Sequence, residues 1–163
     1  MRKVALWAIA LLMMVCGTAF AESYEVLWKR YDVAIAKDLP RTGIDVLNQI
    51  AAQAKADRRY GTLLKTYICK ASLMENIVSD SIVGEVQRLE KEEQALRNTQ
   101  PVAAAVYQAA LALMYQSNYS LGSTRGKKAS EYFNMSLQNP EMLAKAQAKD
   151  FEPILIPGVD SRF

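Results

Sequence analysis

Glu90, Glu92 and Glu93 put three carboxylates within one helical turn, and paired carboxylates are the smallest set that could do general acid–base work. They are interleaved with Lys91 on what reads as the hydrophilic side of an amphipathic helix, so the expectation is a solvated flank. Asp150, Glu152 and Asp160 gather toward the C-terminus without the ligand spacing of a calcium loop. The chain contains no histidine, which excludes Ser-His-Asp and Cys-His catalysis, histidine proton transfer and every zinc site that needs imidazole. Cys16 and Cys69 are the two cysteines. Cys16 lies in an N-terminal leader, so no disulfide can form within the mature chain. Cys69, between Ile68 and Lys70, is expected to be a buried small hydrophobe.

Basic residues cluster at Lys55/Arg58/Arg59 and at Arg125/Lys127/Lys128, each at a predicted helix end or loop, and are expected as solvated caps. The stretch 120–128, SLGSTRGKK, is expected to be a flexible loop. Its Gly122 and Gly126 are too close for a phosphate loop, Lys128 precedes alanine, and no strand leads into it. The eight tyrosines and Trp28 could line a glycan or peptide groove, but most fall on apolar stripes and read as core. Asn118-Tyr119-Ser120 and Asn134-Met135-Ser136 are sequons, meaningful only in a eukaryotic secretory route. No catalytic, cofactor-binding or metal-binding residue emerges, and the chain is expected not to be an enzyme.

The elements that would position these residues are helices. Residues 1–21 have the form of a secretory signal peptide: Arg2 and Lys3, an apolar run from Val4 to Val15, then the cleavage motif Ala19-Phe20-Ala21. A retained anchor or lipidation at Cys16 is the lesser alternative, since Val15 stands where a lipobox wants a small residue. The expectation is an exported protein, periplasmic or extracellular, with no stable membrane insertion after cleavage. Formal charge is +3 from 20 basic and 17 acidic residues, and the leader carries two of the basic ones. The near-neutral remainder gives no sign of a nucleic-acid partner.

Residues 22–152 are expected to form one all-α domain and 153–163 an extended tail, because Pro153, Pro157 and Gly158 forbid helix. Tyr24, Trp28, Tyr31 and Ile35 give the first helix an aromatic stripe. Pro40 opens a second, with Ile44, Leu47, Ile50, Ala51 and Ala54 inward. Leu64, Tyr67, Ile68, Ala71 and Met74 mark a third. Ser79-Asp80-Ser81 offers caps for a fourth, which turns Ile82, Val86, Leu89 and Leu96 inward. The fifth, opened by Pro101, is apolar nearly all round and should be covered by neighbours, Ala110 included. A sixth covers 129–138 and a seventh 140–148. Helices two to five read as two antiparallel hairpins. An offset of 40 pairs Asp45 with Glu85, Val46 with Val86, Tyr67 with Tyr107 and Met74 with Met114. A hairpin repeat of this length resembles tetratricopeptide-like solenoids, and coincidence between two amphipathic hairpins in a bundle serves as well.

Residues 131–163 resemble a segment near the N-terminus of large bacterial α2-macroglobulin-family proteins. The resemblance is carried by Tyr132, Ser136-Leu137, Asn139-Pro140-Glu141, Leu143, Pro153-Ile154-Leu155 and Asp160-Ser161-Arg162. Residues 24–42 and 64–71 are similar to the helices that open that region. Members are exported protease traps with many β-sandwich domains, a bait region and often a Cys-Gly-Glu-Gln-type thioester. Here the only Cys-Gly pair, Cys16-Gly17, lies in the leader, so no functional residue of the family carries over. The resemblance implies the helical N-terminal module alone, a non-catalytic interaction module of a protease-inhibitor system. Its partner would be an envelope protein or the missing macroglobulin domains, docked on the tail 153–163. The alternative is a free-standing helical-repeat adaptor that binds an envelope protein or glycan.

Overall fold

The computed structural model describes residues 22–78 and 81–154, all-α with no strand among them. In chain order the helices are α1 (Tyr24–Ala36), α2 (Pro40–Ala56), α3 (Tyr60–Ile77), α4 (Ser81–Leu96) and α5 (Pro101–Ser117). A 3-10 turn (Tyr119–Leu121) leads to α6 (Arg125–Ser136) and the short α7 (Pro140–Ala144), and a second 3-10 turn (Ala148–Ile154) follows. Each helix from α2 to α6 packs antiparallel on the one before it, and the last turn folds back onto α3.

The tight connections explain this sequential pairing. Asp38 (φ 53°) and Arg58 (φ 55°) are left-handed residues that end α1 and α2. Leu39 N–H bonds the Ala34 carbonyl and Arg59 N–H the Ala54 carbonyl, each at 2.9 Å, so both turns satisfy the last carbonyls in the same way. Pro40 and Pro101 then open α2 and α5, where a missing N–H costs nothing.

The larger core lies among α3, α4, α5 and α6 around Leu64, Val86, Leu89, Tyr107 and Leu111; a smaller one joins Leu27 to Val46, Leu47 and Ile50. Several faces are rotated from the sequence expectation. In α1 the buried residues are Leu27 and Ala34. Tyr24, Trp28 and Tyr31 flank them half-buried, and Ile35 is exposed. In α2 the buried line is Gly43, Val46, Leu47, Ile50 and Ala54, with Ile44 and Ala51 at its edge. Gly43 lies close against its neighbours: a Cβ there would stand 3.1 Å from both Ile35 Cδ1 and Leu73 Cδ2. Ile68 of α3 faces outward.

The fifth helix is not covered all round. Ala103, Ala104, Ala105, Tyr107, Leu111, Ala112 and Tyr115 are buried, Ala110 is half-buried, and Leu113 is 63 % exposed, because α4 and α6 leave one side open. Gln108, its one polar interruption before Gln116, is buried. The stretch 120–128 is not a loop throughout: α6 already begins at Arg125, after a turn made by Gly122 (φ 84°). The seventh helix is shorter than 140–148, and the 3-10 turn that follows includes Pro153 and Ile154, the first two residues of the expected extended tail. Residues 155–163, the expected signal peptide 1–21 and the expected caps Ser79 and Asp80 lie outside the described residues.

Burial recurs between the hairpins, at two offsets rather than at 40. Gly43, Val46, Leu47, Ile50 and Ala54 of α2 correspond at an offset of 39 to Ile82, Glu85, Val86, Leu89 and Glu93 of α4, all buried. Thr62, Leu63, Leu64, Thr66 and Ala71 of α3 correspond at 41 to Ala103, Ala104, Ala105, Tyr107 and Ala112 of α5.

Candidate functional site

The acidic cluster of α4 is not a solvated flank. Glu93 is fully buried, and its carboxylate takes a bidentate pair from Arg97, Nε to Oε1 and Nη2 to Oε2, both at 2.8 Å. Gln108 Nε2 donates to the same Oε1. The helical spacing of four places Arg97 one turn on, and α5 supplies the glutamine, so the charge is buried with its partners. Glu90, half-buried, accepts three hydrogen bonds at Oε1: from Tyr115 (2.8 Å), Lys128 (3.0 Å) and Tyr132 (3.1 Å). Burial works against its charge, but the bonds from Lys128, Tyr115 and Tyr132 prevail and hold the carboxyl below its ordinary range. The bond from Lys128 to Tyr115, and that to Glu90, hold the ammonium above its ordinary range. Tyr115 and Tyr132 stack at 5.9 Å between centroids. Glu92 pairs with Lys55 of α2.

Lys128 is therefore no solvated cap; from the first turn of α6 it reaches Glu90 and Tyr115. These carboxylates are paired with side chains that fasten α4 to α2, α5 and α6. A cleft of about 320 Å³ lies over the Glu90 network, between Val83, Val86, Leu121 and Thr124. The other basic side chains divide. Arg125 lies 4.0 Å from the Tyr119 ring centroid and donates to the Gln116 carbonyl, and Lys127 stays exposed beside Glu131. Cys69 is half-buried rather than enclosed, and burial pushes its thiol up.

The wider opening, about 800 Å³, lies at the other end of α5, where the first turns of α3 and α5 meet the last 3-10 turn. Tyr107 Oη donates to the Tyr60 carbonyl at 3.1 Å and ties these two helix starts together. Gly61 allows the chain to close behind them: a Cβ there would stand 2.6 Å from the Asp150 carbonyl oxygen and 2.9 Å from Phe151 Cα. The first intrahelical bonds are Leu63 N–H to Arg59 carbonyl (3.0 Å) and Ala104 N–H to Gln100 carbonyl (2.9 Å). The amides of Tyr60, Gly61, Thr62, Val102 and Ala103 precede them, and neither Arg59 nor Gln100 caps its helix with a side chain. Thr62 is 3 % exposed and lines this groove.

Arg58, Lys145 and Lys149 line the groove with Arg59, whose guanidinium sits 4.5 Å from the Tyr24 ring centroid. Asp150 and Glu152 stand among them, and Tyr60, Val102, Phe151 and Pro153 add apolar wall. The basic pair Arg58/Arg59 thus borders a concave site. Sequence reasoning assigned no site residue here. The available signal was negative: two helices begin at Arg59-Tyr60 and Gln100-Pro101 without Ser, Thr, Asp or Asn as cap.

Among the described residues no group of three His, Cys, Asp or Glu is arranged to hold a metal ion, and no helix is long and apolar enough to cross a membrane. Fold and groove together define an all-α protein of sequentially paired antiparallel helices with a cation-rimmed groove at one end. No family model, no curated protein and no solved structure matches the chain.

Proposed function

We propose that this chain is a non-catalytic, exported helical interaction module of the cell envelope, and that its groove docks a protein partner. The observation that carries the reading is the convergence of two helix starts without side-chain caps on one cation-rimmed groove. Such a site has the capacity to bind a polar or charged group. The recurrence of burial at offsets of 39 and 41 supports a stack of helical hairpins of the tetratricopeptide-like kind, an architecture that presents surfaces to partners.

The resemblance of residues 131–163 supports assignment to an α2-macroglobulin-type protease-inhibitor system. Its residues serve the scaffold: Tyr132 and Ser136 are buried, and Asn139 accepts from the Met142 amide to cap α7. That fits a docking part better than an inhibitory one. The groove favours the second reading, a free-standing adaptor, because its walls come from α3, α5 and the last turn of this same chain.

The test uses the purified protein with a photo-crosslinking amino acid at Gln147, on the groove, or at Gln116, near the far end of α5. In envelope extract, Gln147 should give one dominant protein adduct, to be identified by mass spectrometry, and Gln116 none. At equimolar protein, endopeptidase cleavage of a large substrate should be unchanged. No adduct at Gln147 would contradict the docking reading; protection of the substrate would make the chain an inhibitor.

A further inference from the structure

We infer that the last 3-10 turn (Ala148–Ile154) is a detachable latch: it lifts off the start of α3 while the helical body stays folded, and the groove exists only while the latch is closed. Residues 145–147 and 149–153 line the groove together with Arg58, Tyr60 and Val102, so lifting the latch takes the groove apart.

The latch and the helix before it have few ties to the body. Neither α7 nor the turn contains a buried residue. Lys145 N–H bonds the Met142 carbonyl at 3.2 Å, Ala146 N–H the Leu143 carbonyl at 3.0 Å and Asp150 N–H the Gln147 carbonyl at 3.1 Å, all inside this C-terminal arm. Among the described residues no hydrogen bond or ion pair runs from 140–154 to the helices α1 to α6, although Lys145, Lys149, Asp150 and Glu152 all carry charge. Pro153 removes one amide from the turn itself. A segment so attached can open by giving up apolar contact alone, with no polar network to break.

What closes the latch is narrow. Phe151 and Ile154, both half-buried, pack against the larger core. Gly61, in the first turn of α3, lets the backbone of the latch come close, since a Cβ there would stand 2.6 Å from the Asp150 carbonyl oxygen and 2.9 Å from Phe151 Cα. Both are backbone atoms, which no side-chain rotation moves aside. Alanine is ordinarily the better helix former, so glycine at this position serves the closed latch rather than α3.

The experiment is native-state proteolysis of the full mature chain. Trypsin cleavage at Lys145 and Lys149 in the arm, and at Lys65 in α3, is followed by mass spectrometry at urea concentrations below the unfolding transition. A peptide substrate corrects for the protease's own response to urea. Cleavage in the arm should depend on urea far less than cleavage at Lys65, because lifting the latch exposes little surface and unfolding the body exposes most of it. Gly61→Ala should speed cleavage in the arm about tenfold while the cooperative melt of the helical body persists. Phe151→Ala, which removes the apolar anchor without a clash, should speed it several-fold. Equal urea dependence in the arm and at Lys65 would overturn the proposal, as the turn would then open only with the whole fold. So would arm cleavage in Gly61→Ala at the wild-type rate, or variants that speed cleavage at Lys65 as much as in the arm. Should Gly61→Ala fail to fold, the urea dependence of the wild type and the Phe151→Ala rates decide. The inference concerns the turn itself and holds or fails whether or not an adduct forms at Gln147.

Discussion

The two hairpins α2–α3 and α4–α5 use corresponding buried positions, but their interiors differ in chemistry. Where α2 buries Val46 and Ala54, α4 buries Glu85 and Glu93. Within the first hairpin, α2 satisfies its face with hydrocarbon alone. The second satisfies it with carboxylates that arrive with partners: Arg88 bonds both oxygens of Glu85 at 2.8 Å, and Arg97 and Gln108 take Glu93. The lesson is that a helix face can stay in register while its content changes from apolar to ionic, provided each charge finds donors within reach. The ionic version also fastens more neighbours, since Glu90 and Glu92 on the same helix reach α6 and α2.

The comparison breaks most severely if the charge is placed where no partner exists. Ala54→Glu, at the position equivalent to Glu93, puts a carboxylate in a fully enclosed site. It should cost on the order of 4 kcal/mol or prevent folding, as read from urea unfolding. An Ala54→Glu chain as stable as wild type would show the first hairpin to be far looser than its burial implies.

Removing a charge from the second hairpin comes next. Glu93→Ala should cost about 2–3 kcal/mol, since Gln108 loses its acceptor while Arg97, partly exposed, regains some water. Replacing Glu93, Arg97 and Gln108 together by leucine, methionine and leucine should recover most of that loss, converting the second interior to the chemistry of the first. If the triple variant is no better than Glu93→Ala, the pairing contributes more than mutual compensation.

A smaller effect should appear in pH dependence. The folded-state pKa of Glu90 lies below its ordinary 4.5, so its contribution is complete above that value and is lost as pH falls through the folded pKa. Lys128 is held above its ordinary 10.5, so its contribution is complete below that value and is lost as pH rises through the folded pKa. Each limb should amount to about 1 kcal/mol, given the exposure of Lys128. Urea midpoints followed against pH should show both limbs in wild type, and Glu90→Gln should flatten the acid one. An unchanged acid limb would remove Glu90 from the network that holds α6.

The smallest change concerns the turn the hairpins' first neighbour shares with them. Asp38 is left-handed without a glycine's freedom, so Asp38→Gly should stabilise by a few tenths to about 1 kcal/mol, visible as a raised melting temperature.

Much of the helical frame was legible in the sequence. Pro40 and Pro101 mark helix starts, and the faces of α4 and much of α3 follow from 3.6-residue spacing. The misreadings at Glu93 and Lys128 share one cause: hydrophilic residues were assigned to solvent by composition, while Gln108 of α5 reaches Glu93 and Glu90 of α4 holds Lys128. Tyr132 and Lys128 reach Glu90 across some forty residues of chain, 42 and 38 respectively, a relation no local window contains. Leu113 shows the converse, since an apolar run does not state how many neighbours arrive to cover it. The groove was invisible for a further reason. It joins positions near 60, 102 and 150, and what defines it is the lack of helix caps, a feature that yields no motif.

The most direct measurement of the central claim is hydrogen exchange at single-amide resolution in the protein without added ligand. The account predicts that Tyr60, Gly61, Thr62, Val102 and Ala103 exchange rapidly although Thr62 and Ala103 are buried, while Leu63 and Ala104, the first bonded amides, are protected. Protection of the first-turn amides in the protein alone, equal to that of Leu63 and Ala104, would mean the donors are already satisfied and the groove is not a binding site.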